Sequence, residues 1–111
     1  MPKVYVTQEV MTASYADAER YGDLVFLCAS ELSNVANSLH NEKLIAALRD
    51  RLSKFNPQED FIAPSGSPII TGLVFAMLRE KTRVFRVLKW NNRDAAYTSL
   101  TLDITGLNHV I

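Results

Sequence analysis

The segment PIITGLVFAML, from Pro68 to Leu78, constrains this chain more than any other. From Ile69 to Leu78 only Thr71 and Gly72 interrupt an apolar run. Ser67 followed by Pro68 reads as a helix start, because serine accepts the first free N–H groups and proline has none to lose. The apolar residues go around the helix instead of along one stripe, so it must be covered on more than one side. A single sheet covers one side only. A second copy of the chain is the expected cover for the rest, with Gly72 permitting close approach. The sequence therefore predicts a homodimer through the 68–81 helix.

The segments around this helix alternate. KVYVTQ (3–8) is β-branched and alternating, and so reads as a strand. SYADAERYG then reads as a helix of about two turns, with Ser14 as N-cap and Gly22 as stop. DLVFLCA (23–29) is apolar after its first residue, the pattern of a strand covered on both faces. From Asn41 a stripe of Leu44, Ile45, Leu48, Leu52 and Phe55 marks an amphipathic helix, stopped by Asn56-Pro57. DFIA is a short buried strand. RVFRVLKW and AAYTSLTLDI, joined by NNRD, read as a β-hairpin. The expected order is β, short α, β, α, β, α, β, β. Strands alternating with helices imply a mostly parallel sheet, so the fold class is a small Rossmann-like α/β domain with about three helices and a C-terminal β-hairpin. One domain spans residues 1–111.

Composition narrows the function classes. With 48% apolar and 22% charged residues the chain is an ordinary globular one, without a disordered tail. The net charge of zero gives no argument for nucleic acid or membrane. No apolar run is long enough to span a bilayer, and no signal peptide opens the chain, so a cytoplasmic location is expected. Cys28 is the only cysteine, which excludes an internal disulfide and points to a buried thiol. Six cations between Arg79 and Arg93 stand against the single acid Glu80. This local charge of +5 is either a phosphate-binding face or the solvated edge of a strand.

The candidate site is Ser65-Gly66-Ser67. It follows a strand and opens a helix, where ligands of open α/β sheets usually sit. Gly66 can adopt positive φ and admit a ligand to the backbone, and free N–H groups with the helix dipole favour an anion. Arg86 and Lys89, from the basic run, are candidates to reach that anion. The same features also describe a capped helix with no ligand. Trp90 and Tyr97 face each other across the expected hairpin, and with Arg93, Tyr15 and Arg20 they are candidates for a partner-binding rim.

Other chemistry is poorly supported. Ser65, Asp103 and His109 follow the order of a hydrolase triad, but Ala63 and Ser67 stand where a nucleophile elbow has glycines. His40 and His109 are far apart and Cys28 is alone, so no metal site and no cofactor are expected. Glu59 and Asp60 are expected to face solvent.

Two resemblances add to this reading. KVYVTQE, YGDLVFL, DFIAPSGSPI and FRVLKWNNRDAAYTSL resemble a group of small tailed-bacteriophage proteins of unassigned function. The stretch from Asp60 to about Lys81 is similar to the nucleotide-sensing Rossmann domains associated with CRISPR systems. That likeness implies that Ser65, Gly66 and Ser67 contact a nucleotide across a dimer, although Pro68 departs from its usual polar or basic continuation. The leading expectation is a non-enzymatic phage-type protein that holds a phosphate-bearing nucleotide, sequestering a host defence signal. The alternative is a phage protein that binds and inhibits or redirects a host protein. A small hydrolase or nuclease ranks third.

Overall fold

A computed structural model describes residues 1–106. Five strands form one sheet: β1 (Lys3–Val6), β2 (Asp23–Phe26), β3 (Phe61–Ala63), β4 (Val84–Asn91) and β5 (Ala96–Asp103). Their order is β2-β1-β3-β4-β5, with the first four parallel and β5 antiparallel to β4. Among the described residues there are two α-helices, α1 (Leu39–Leu52) and α2 (Pro68–Leu78), where about three were expected.

The expected third helix is a single 3-10 turn, Ala16–Arg20. Its side chains are committed elsewhere. Tyr15, which would open a helix capped by Ser14, instead has its hydroxyl bonded to Val10 N–H, and Asp17 and Arg20 bond the backbone of Tyr97. Gly22 follows because the chain touches β1 there: a Cβ would lie 2.4 Å from the Pro2 carbonyl oxygen.

The chain moves one way from β1 to β2 and the other way from β2 to β3 and β4. Right-handed crossovers then require the first connection on one face of the sheet and the helices on the other. The core divides accordingly. Tyr5, Ile62, Phe85 and Val87 pack under Leu44, Leu48 and Leu52 of α1 and Ile70, Val74, Met77 and Leu78 of α2. Val4, Val6, Phe61, Ala63, Leu88 and Tyr97 pack against Tyr15 and Ala18. Successive strand residues alternate between the two clusters, as the pleat demands.

Several expectations shift. β2 is an edge strand, with both faces only partly covered. β4, which carries Arg86 and Lys89 of the basic run, is an inner strand; the hairpin's free edge belongs to β5. Within α2 the sheet side is buried, Phe75 packs edge-on against Phe85, and Ile69 stays 65% exposed. Asp60 is buried and accepts the N–H groups of Lys3 and Asn56, at 2.9 and 2.8 Å, tying the start of β3 to β1.

The basic run does not form one surface. Lys81 places its ammonium group 2.8 Å from the carbonyl oxygens of Leu52 and Ser53, where α1 ends with unpaired carbonyls and the negative end of its dipole. Arg86 lies 4.2 Å over the Phe61 ring and donates to the Gln58 carbonyl. These cations stitch the amino end of the sheet. Lys81→Met is expected to cost about 1 kcal/mol, lowering the midpoint of thermal unfolding by roughly 5 °C. An unchanged midpoint by calorimetry would show that the cap contributes nothing.

Candidate functional site

The chain reverses its direction across the sheet between β1 and β3, so a crevice opens beyond their carboxyl ends. Thr7 and Gln8 leave β1 there, and Pro64 to Ser67 leave β3. Both Thr7 and Gln8 are fully buried polar residues. The Thr7 hydroxyl accepts the Ser65 N–H and donates to the Ser65 carbonyl, both at 2.8 Å. Having spent its proton, it receives that of Thr71, 3.1 Å away. The Gln8 carbonyl oxygen accepts the Ser67 N–H at 2.6 Å, and its amide donates to the Ser30 carbonyl and the Glu31 carboxylate.

The helix start is equally occupied. The Ser67 hydroxyl accepts from Ile69 and Ile70 N–H, at 3.2 and 3.3 Å, and Thr71 N–H bonds the Ser67 carbonyl. The donors of Ser65, Ser67, Ile69, Ile70 and Thr71 are therefore satisfied from within the chain. Gly66 adopts φ of +77°, and a Cβ there would sit 2.0 Å from the Gln8 carbonyl oxygen. The space that Gly66 provides is filled by Gln8.

Beside this loop, on the face of the 3-10 turn, lies a cavity of about 390 Å³. Tyr15, Ser65, Trp90 and Tyr97 line it, together with Pro64 and the stretch from Thr12 to Ser14; among the described residues no charged side chain does. The Tyr15 hydroxyl lies 2.8 Å from the Ser65 hydroxyl. Trp90 meets Tyr97 edge-on with ring centroids 5.0 Å apart, and its indole N–H is held by Asn92 at 2.6 Å. The Trp90 ring is thus fixed while 41% exposed, whereas Tyr97 is buried and its phenol pKa is raised, chiefly by desolvation. Such a cavity suits a neutral ring or apolar side chain that hydrogen-bonds at one edge.

A protein-family model described as Phage Pam3 gp32-like protein matches residues 2–104. The chain belongs to this family. No curated protein and no solved structure matches it. The match spans both helices and all five strands of the fold, and it places the phage resemblance read from the sequence at family level.

In this family member Tyr15, Ser65, Trp90 and Tyr97 come together at one cavity. Arg20 joins them from the side, donating to the Tyr97 carbonyl at 2.6 Å and to Asp17. Arg93 is exposed on the hairpin turn. Gly66 and Ser67 serve the loop itself. Arg86 sits beside Phe61, at the start of β3, and so does not reach Ser65 beyond that strand's end. Lys89 is exposed and borders a separate hollow with Asn91 and Thr98. Among the described residues no group of three His, Cys, Asp or Glu side chains is placed to hold a metal. Asp103 carries a β-turn, accepting from Thr105, and His109 lies outside the described residues. Thr7, Gln8 and Thr71 escaped the sequence reading. The one available signal was a polar pair ending an apolar strand, which is also how a strand enters solvent.

Asp17 links the rim to the hairpin. The Tyr97 N–H, 2.6 Å away, holds its carboxyl below the usual range against some desolvation, with Arg20 adding to the effect. A lowered folded pKa stabilises above the ordinary carboxylate value, and that stability is lost as pH falls through the folded value. Relative to Asp17→Asn, the native chain should hold a constant advantage in melting temperature above about pH 5 and lose it below about pH 4. A gap independent of pH would mean that the charge plays no part. Gly66→Ala must both strain a left-handed backbone and evict Gln8, so a loss of more than about 2 kcal/mol is expected in chemical denaturation. A neutral result would show that the Gln8 contact is dispensable.

Proposed function

We propose that this phage protein is a non-enzymatic binding module that engages a host protein through the rim around Tyr15, Trp90 and Tyr97. The observation carrying this reading is the neutral aromatic cavity, with a rigid, exposed Trp90 at its lip. Tryptophan, tyrosine and arginine dominate binding hot spots because they bury large area at small entropic cost. Here Arg20 and Arg93 flank the aromatic group, so a partner with an apolar or aromatic anchor side chain and nearby carboxylates fits best. Binding of that kind inhibits or redirects the host protein by occupying its surface, with no chemistry needed.

A nucleotide ligand is the second reading, favoured by the position of the cavity beside the crevice at the carboxyl ends of a mostly parallel sheet. In this version the base stacks against Trp90 and meets the Ser65 hydroxyl, and the phosphate lies outside. The Ser65 and Ser67 amides of the loop support a phosphate poorly, since Thr7 and Gln8 already hold them. Sequestration of a defence nucleotide would then rest on the base.

The two readings separate in paired experiments on the intact protein. Immobilised native chain, Trp90→Ala and Arg93→Glu are exposed to host lysate, and any retained protein is purified and titrated calorimetrically. A discrete partner whose dissociation constant rises tenfold or more with each substitution is expected. A partner held equally by all three would overturn the rim assignment. If no partner is retained, a thermal-shift screen against mono-, di- and cyclic nucleotides decides. A rise equivalent to about 2.7 kcal/mol at a hundredfold excess over the dissociation constant, lost in Trp90→Ala, would establish the nucleotide reading instead.

A further inference from the structure

The two edges of the sheet are treated differently. At β2, Arg51 of α1 donates to the carbonyl oxygens of Phe26 and Leu27, at 3.2 and 2.7 Å, which blunts that edge. β5 is twice as long, eight residues against four, and from Ala96 to Leu102 it carries no charge and no proline. Those are the usual protections of an exposed edge.

The hydrogen-bond parity of β5 follows from its neighbours. Ile104 N–H bonds the Arg83 carbonyl on the β4 side, so the even-numbered residues of β5 face β4 and the odd-numbered ones face outward. Tyr97 bears this out, since its N–H goes to Asp17 and its carbonyl to Arg20 and Tyr21. Beyond that clamp, the outward N–H and C=O groups of Ser99 and Thr101 have no partner among the described residues. Their side chains are exposed as well.

We infer that β5 pairs antiparallel with β5 of a second copy about a two-fold axis at Leu100. In this register Ser99 and Thr101 of the two copies exchange four main-chain hydrogen bonds, and Leu100 lies opposite Leu100. The strand brings no like charges together. The ladder ends on both sides at Tyr97, whose outward N–H and carbonyl stay with Asp17 and Arg20, so the paired stretch is Thr98 to Leu102 and holds no charged residue. An axis perpendicular to the sheet keeps the helices of both copies on one side. Leu100 and the 47% exposed Leu102 of each copy then join, and they extend the apolar hollow of about 590 Å³ that Phe75, Phe85 and Ile104 line between α2 and the hairpin. The dimer expected from α2 is thus centred on β5, with α2 alongside.

Sedimentation of the intact protein is expected to give twice the chain mass. Thr101→Pro removes only an outward N–H, so it should yield monomer with unchanged far-ultraviolet circular dichroism. In a Cys28→Ser background, Leu100→Cys should form an interchain disulfide on mild oxidation, because facing residues of a non-hydrogen-bonded pair have Cα atoms only about 4.5 Å apart. Leu102→Cys, set opposite Thr98, should not. A native monomer, a dimer that survives Thr101→Pro, or equal cross-linking at both positions would overturn the inference. So would a monomer whose β5 edge is protected from hydrogen exchange only when a host protein is bound. The cysteine pair decides the matter if Thr101→Pro fails to fold.

Discussion

The buried amide of Gln8 is the interaction on which the carboxyl end of this sheet depends. One side chain there bonds the loops that follow β2 and β3 while itself ending β1. An unpaired amide at such a depth would cost several kcal/mol, so the three loops are held together or the strand ends part. Gly66 is the counterpart of that arrangement. Its missing side chain is the room in which the Gln8 carbonyl oxygen sits. The loop that looks most like an anion cradle is therefore held by bonds from its Ser65 and Ser67 amides to Thr7 and Gln8. The cavity next to it takes its shape from that loop.

Much of the fold was legible because it rests on periodicity. The stripe on α1 put Leu44, Leu48 and Leu52 into the core, and the alternation of RVFRVLKW placed Phe85 and Val87 on the opposite face from Leu88. The Trp90–Tyr97 pair followed from the hairpin connection alone. What failed depended on partners distant in sequence. The segment around Asp17 has the composition of a short helix, but Asp17 and Arg20 are drawn to Tyr97, some eighty positions away. Asp60 looks like a solvent-facing carboxylate until strand order brings Lys3 beside it.

The candidate site divides along the same line. Ser67 as helix cap was readable, since Ser-Pro before an apolar run is a local signal. That the Ser65 and Ser67 amides are filled was not, because Thr7 and Gln8 lie just past the end of β1, nearly sixty residues earlier. The aromatic residues of the rim were recognisable by type, but their convergence with Ser65 needed the order β1-β3-β4. The basic run shows the converse. Local charge counting grouped six cations that the fold sends to a helix end, an aromatic ring and open solvent.

The central position of β1 has a consequence for how the chain is made. Of the five strands β1 is made first, yet it lies between β2 and β3, so one of its two edges has no partner until Phe61 has been synthesised. At about 5–20 residues per second that interval lasts several seconds. Until then the β1–β3 pairing that covers that edge of Val4, Tyr5 and Val6 cannot form. The earliest moment at which this sheet can close is thus set by the spacing between its first strand and its third.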